Sequence, residues 1–271
     1  IRLHRVIHEA IKGFCHDRRC ESKYISTSKT PMNEPIFSSE TIIQNVVKTL
    51  YNFENRSDKI RLIPHLKTFT AEIKNLFPGN AALYSISQEF RKLHIAKIYF
   101  FFANTSHNYG SFNIAMEYYQ QELEINKEKL GPDHIHVATS YNNLGAVFND
   151  TGDLEKAKEY SKLALEIQKE QLGPDHVDNA TSYNNLGEVY RKTGDLEKAK
   201  EYHQLALEIR KEQLGPSHVD VATSYNNLGT VYRKTGDLEK AKEYYQLALE
   251  IQKEQLGPKH ARVATSYNNL G

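Results

Sequence analysis

The chain has 271 residues, and its 35 Lys and Arg nearly balance its 34 Asp and Glu, for a net charge of +1. That balance argues against bulk electrostatic attraction to nucleic acid or a membrane surface, and no apolar run approaches the roughly 18 residues a membrane helix needs. Two cysteines in a chain this size do not make a secreted disulfide scaffold, and no signal peptide is visible, so a cytoplasmic setting is expected, with neither nucleic acid nor membrane as partner.

The chain starts at Ile1 without Met and stops at Gly271 inside a repeat, so it reads as a fragment. In "RVIHEAIKGF", residues Val6, Ile7, Ala10, Ile11 and Phe14 share one helical face. Cys15 and Cys20 come next in "CHDRRC", near His4, His8 and His16. A zinc or redox module there is a third-ranked reading, because the spacing is not the paired C-x-x-C of structural zinc sites. Reduced thiols are expected, and no metal. Residues 21–37 are polar, with Pro31 and Pro35, and read as a loop. Ser38 or Ser39 can cap a helix to about Phe53. A further helix covers about 58–77, kinked or restarted at Pro64. "FPGN" at 77–80 is a turn, and another helix runs from about Ala82 to beyond Ala96.

From about Ala96 the sequence repeats. Gly145, Gly187, Gly229 and Gly271 stand 42 residues apart, and a period in the 20–50 range marks a solenoid or array. In one period, Tyr141, Leu144, Gly145 and Phe148 follow the i, i+3, i+4, i+7 pattern of a helix face. "NDTGD" turns the chain at Gly152, and Asp153 can cap a second helix. Leu154, Ala157, Tyr160, Ala164, Leu165 and Ile167 form that helix's apolar stripe, with Glu155, Lys158, Glu159 and Lys162 on its wet side. "LGP" ends it, with Gly173 as a left-handed cap and Pro174 as the stop. Each period is therefore a helical hairpin. A single hairpin cannot bury both stripes, whereas stacked neighbours can. Gly145 and Ala157, and their counterparts such as Gly187, permit close helix approach. Residues 180–216 and 222–258 differ at three positions only: Glu188 against Thr230, His203 against Tyr245, and Arg210 against Gln252.

The order Tyr, Leu-Gly, aromatic, Gly-Asp, Ala, Tyr, Ala-Leu resembles the tetratricopeptide repeat, and the 42-residue unit with "LGPDH" is similar to the long variant of kinesin light chains and nephrocystin-like proteins. The resemblance implies an all-α, right-handed superhelical solenoid of hairpins preceded by a small helical region. Units are expected near 96–137, 138–179, 180–221 and 222–263, with a fifth starting at 264. The first is degenerate. Tyr99, Phe102, Ala103, Gly110, Ala115 and Leu123 keep register, but Ser106 replaces the aromatic and Glu122 the alanine, as terminal repeats often vary. It is expected to pack on the region before it.

Two short stretches carry a second resemblance. "RLHRVIHEAIK" (2–12) looks like the winged-helix end of NB-ARC-type signalling ATPases that carry tetratricopeptide repeats, and "IRLIPHLKTF" (60–69) resembles the segment that comes after it there. Residues 1–37 would then end a winged-helix domain, 38–95 would be a helical linker or diverged hairpin, and 96–271 the array. By that resemblance His4 would contact ADP if an upstream nucleotide domain exists. The alternative is a kinesin-light-chain-like cargo or assembly adaptor, although no sustained apolar heptad appears here.

The sequence holds no P-loop, H-E-x-x-H or G-x-S-x-G motif, so a non-catalytic role without cofactor is expected. His134, His176, His218 and His260 recur once per unit, which points to linker structure rather than to metal. The resemblance instead implies protein or peptide binding in a groove lined by each unit's first helix, with self-association left open. It places Asn142, Asn143, Asn184, Asn185, Asn226 and Asn227 on or near that groove. Asn offers both donor and acceptor to an extended backbone. One turn on, Arg191, Lys192, Arg233 and Lys234 add positive charge where the preceding unit has Asn149 and Asp150. The groove should therefore grow more basic toward its C-terminal end and suit an acidic peptide. Glu188 and Thr230 fall on the groove stripe and are expected to tune selectivity. His203 and Tyr245 are expected to pack between units, and Arg210 and Gln252 to be wet surface. Phe100 and Phe101, which stand where the Asn pair would be, are expected to be buried.

Overall fold

A computed structural model describes residues 84–270, all of whose regular structure is helical. The expected winged-helix end and helical linker up to residue 83, with His4, Cys15, Cys20 and the stretches 2–12 and 60–69, lie outside the described residues. The helices are α1 (Tyr84–Asn108), α2 (Phe112–Leu130), α3 (Ile135–Thr151), α4 (Leu154–Leu172), α5 (Val177–Thr193), α6 (Leu196–Leu214), α7 (Val219–Thr235), α8 (Leu238–Leu256) and α9 (Ala261–Leu270). The chain divides into two units at residue 125.

In the first unit, α1 and the start of α2 meet through aromatic rings. Tyr118 lies 5.5 Å from Tyr99 and 5.7 Å from Phe102, centroid to centroid. Ser106 and Glu122, the two departures from the repeat pattern, are both buried. Phe100 and Phe101 are half-buried, not buried, and Phe100 meets the Tyr119 ring edge to face.

In the second unit the hairpins α3–α4, α5–α6 and α7–α8 stack in order. The second helix of each packs on the first helix of the next, and the first helices α3, α5 and α7 also touch in series, giving one continuous first-helix face. This is the solenoid of helical hairpins that the period implies. The reason is local. Each second helix starts on an aspartate (Asp153, Asp195, Asp237) whose carboxylate accepts the backbone N–H three residues on. Each first helix from α3 to α7 starts on a histidine instead: Nδ1 of His134, His176 and His218 accepts the N–H two residues on, and His260 does the same ahead of α9. The recurring histidines are caps, the linker role their repetition suggests.

Gly173 corrects a detail. It has positive φ (89°) but ψ of 163°, not the left-handed helical conformation expected. Pro174 forbids helical ψ to the residue before it, so the chain leaves the helix extended, in a region open essentially to glycine alone.

Apolar burial runs across the hairpin boundaries. Leu165 of α4, Tyr183 and Leu186 of α5, and Ala206 and Ile209 of α6 form one cluster, while Leu207 of α6 meets Val221 and Leu228 of α7 in another. Outside these, lysines lie over aromatic rings of the next hairpin: Lys158 over Tyr190 at 5.8 Å and Lys200 over Tyr232 at 5.7 Å. These contacts join neighbouring hairpins and add to those within each one, such as Lys198 over Tyr190 at 5.3 Å.

Within a hairpin the helices close on a glycine. A Cβ built on Gly187 would stand 2.7 Å from the His203 ring, and one on Gly229 would stand 2.7 Å from the Tyr245 ring. Both rings are buried, so neither can step aside. At Gly145 the obstacle is smaller, the Ser161 hydroxyl at 2.9 Å, but that hydroxyl already donates to the Ala157 carbonyl. Gly187→Leu should therefore destabilise the array by about 1–3 kcal/mol or more, read as a lowered thermal midpoint, and an unchanged midpoint would contradict the close approach.

Candidate functional site

The candidate surface is the first-helix face, built from α3, α5 and α7. The structure distributes the twelve predicted positions among three environments.

The first is internal to the stack. Asn142 is buried at 6% exposure. Its amide donates to the Ser182 hydroxyl of the next hairpin at 2.7 Å. Ser182 also bonds Gln168 of α4. One hairpin boundary is thus closed by a buried triad from three helices. Asn185 adds a reach back to Asn142. The same triad recurs at Asn226, Ser266 and Gln252. Such buried, satisfied bonds are each worth about 1 kcal/mol net and more if broken on one side. Asn142 therefore serves the stack and offers little to a partner.

At the boundary between them, Arg210 stands where the glutamines stand. It is buried rather than wet, and Nη1 donates to the Ser224 hydroxyl (2.8 Å) and the Asp220 carbonyl (3.3 Å). Burial pushes its guanidinium below its ordinary value, and the Asp220 carboxylate pulls the other way. Gln252 is likewise buried. The expectation of a wet surface at both positions is wrong, because helix periodicity places them beside the apolar stripe, where the next hairpin's serine waits. With Ser224 engaged by Arg210, Asn184 accepts instead from Asn227.

The second environment is half-buried and paired. Glu188 accepts two hydrogen bonds from Arg191, from Nε at 2.7 Å and from Nη2. This fork is the strong form of an ion pair, and it raises the Arg191 pKa further. In the next hairpin Thr230 takes the place of Glu188. Its hydroxyl donates to the Asn226 carbonyl (2.9 Å) and accepts from the Tyr245 hydroxyl (3.2 Å). Residues 188 and 203, like 230 and 245, are thus neighbours across one hairpin. His203 and Tyr245 pack within their own units, over Gly187 and Gly229, not between units. His203 is fully buried with neither ring nitrogen hydrogen-bonded, and burial, the first cause, lowers its pKa to about 4. Arg191 and Arg210 push the same way and Glu188 opposes.

The third environment is open. Lys192, Arg233 and Lys234 are exposed. Lys192 donates to the Asn149 carbonyl near the end of α3. Arg233 lies 6.0 Å over the Tyr245 ring, and no carboxylate stands within ion-pair distance of it among the described residues. Asn143 is half-buried, and its amide nitrogen, itself buried, has no partner among the described residues; the residue one period before Asn142 is Phe100, which has no amide to offer. Among the described residues no group of three or more His, Cys, Asp or Glu is placed to hold a metal, and no helix is long and apolar enough to cross a membrane.

Two of these buried groups have measurable consequences. An unfolded histidine titrates near its ordinary 6.5, above the folded value of about 4 for His203. The unfolded state therefore binds the proton first, and stability should fall as pH drops from 6.5 toward 4. Denaturant titrations across that range should show part of the fall removed in His203→Ser, the residue pattern of the preceding hairpin; identical slopes would contradict a buried neutral imidazole. Arg210→Gln should raise the thermal midpoint, by about 1 kcal/mol in stability, because it replaces a buried cation with the neutral partner used at the flanking boundaries. A loss instead would show that the guanidinium bonds outweigh its desolvation.

Comparisons agree with this architecture. The tetratricopeptide repeat family model matches residues 95–170, 136–212, 178–254 and 220–271. No curated protein sequence matches. Among solved structures, BtubC (BKLC) from P. vanneervenii is similar at 23% identity and a TM-score of 0.63, with 95% of this chain and 93% of that one covered. Two structures from Podosopora anserina, described as a kinesin light chain with nearly identical TPR-like repeats, are 22% and 17% identical. Their TM-scores are 0.54 and 0.57, over 65% and 78% of this chain and 84% and 95% of theirs. At these identities the likeness is one of fold. Since the family model spans more than half of the chain, the chain belongs to the tetratricopeptide repeat family.

Proposed function

We propose that this chain is a non-catalytic, cytoplasmic scaffold that binds a peptide or partner protein on its first-helix face. The observation that supports this most is the sorting of polar groups there. Packing consumes Asn142 and, at the boundary with α9, Asn226, and leaves the half-buried amides of Asn143, Asn184, Asn185 and Asn227 beside exposed cations at the C-terminal end. Half-buried amides suit an extended backbone, and unpaired cations suit acidic side chains, so the partner is proposed to be acidic.

Two larger settings are compatible with such a module. The cargo or assembly adaptor draws support from neighbours described as kinesin light chains. The NB-ARC-like signalling setting rests on residues 2–12 and 60–69, with His4 as its ADP contact, all outside the described residues. Self-association through the array is a further proposal that a sedimentation measurement would address.

The test of the binding face is a peptide-array screen with the native chain and with Arg191→Glu and Arg233→Glu. Acidic peptides should be retained by the native chain, more weakly as salt rises, and lost on reversal of Arg233, with a smaller loss at Arg191, which Glu188 already engages. Binders that survive both reversals with unchanged salt dependence would place the site elsewhere.

A further inference from the structure

Near-identical hairpins present the same arginine in two different states, and the difference traces to one pair of coupled residues. In α5, the Glu188 carboxylate occupies Arg191 through two hydrogen bonds, over the buried His203 ring. In α7, Thr230 and Tyr245 stand in the places of Glu188 and His203, and they satisfy each other and the Asn226 carbonyl. The Tyr245 ring is left beneath Arg233, and among the described residues no carboxylate lies within ion-pair distance of that guanidinium. Local sequence is otherwise the same, "VYRKTGD" in both.

We propose that Arg233 is the carboxylate anchor of the first-helix face and that Glu188 masks the equivalent Arg191. This rests on the peptide-binding reading above and assigns its anchor. Three features fit an anionic occupant. The exposed guanidinium presents its N–H donors with no acceptor among the described residues except a ring face. Lys234 stands beside it, exposed. On the neighbouring helix the Asn184 oxygen accepts one hydrogen bond from Asn227, and its own N–H groups meet no acceptor among the described residues. The occupant is a peptide carboxylate, a Glu or Asp side chain or a chain terminus, held bidentately as guanidinium holds carboxylate. The residue pair 188/203, or 230/245, thus sets whether a given hairpin exposes its cation.

The test measures fluorescence anisotropy of a labelled hexaglutamate peptide at low salt. Arg233→Gln should weaken binding about tenfold, and Glu188→Gln should strengthen it about tenfold by releasing Arg191, since a tenfold change is the scale of one charge-assisted contact. A gain cannot come from misfolding. The double variant should recover the affinity that Arg233→Gln loses. If the peptide binds but neither single variant changes its affinity, the anchor and mask are overturned while the binding face stands. If the folded native chain does not bind the peptide at all, the acidic-partner reading falls with them.

Discussion

Each hairpin of the second unit is closed around a glycine, and the side chain that meets that glycine from the second helix decides much of what else the hairpin does. Ser161, His203 and Tyr245 occupy that place against Gly145, Gly187 and Gly229. All three are buried, so the helix separation leaves no tolerance for a Cβ. What differs is how each meets its polar requirement. The serine turns back to its own helix, the tyrosine reaches across to Thr230, and the histidine reaches nothing and stays neutral. An internal packing position is therefore wired to the outer-face residue that directly follows the glycine.

The contacts between hairpins show a second version of the same economy. The serine of each first helix receives a polar side chain from the helix before it, and in two boundaries an asparagine completes the triad. Where Arg210 replaces glutamine, Ser224 bonds the guanidinium and Asn184 turns to Asn227. A change buried at a boundary thus alters which amide edge is presented outside. In a stack whose stability is a sum of units and interfaces, such changes leave the apolar stripes undisturbed.

Most of the fold is legible in the sequence. The 42-residue period, the two apolar stripes, the aspartate caps and the Gly152 turn all stem from local rules, because helix periodicity and capping depend on neighbours a few residues away. The site is legible only in outline. Asparagine rows and arginines mark the first-helix face, but Asn142 sits in a boundary triad whose partner is 40 residues on. Likewise, Glu188 and His203 are 15 residues apart and meet only because the hairpin folds. The three differences between the twin repeats look unrelated in the sequence. Residues 188 and 203 prove to be one coupled pair, and residue 210 a separate interface switch. Helical spacing cannot reveal this, since it tells which face a residue shares but not what stands opposite. Gly173 departs from expectation for a similar reason: the proline after it overrides the usual cap rule.

The two arginines, alike in local sequence, differ in engagement. Side-chain hydrogen exchange of the arginine Nε–H groups, followed by nitrogen-detected NMR on the native chain, tests it most directly. A guanidinium locked bidentately to Glu188 should protect the Arg191 Nε–H, while the Arg233 Nε–H exchanges freely with solvent. Equal, rapid exchange at both would contradict the account.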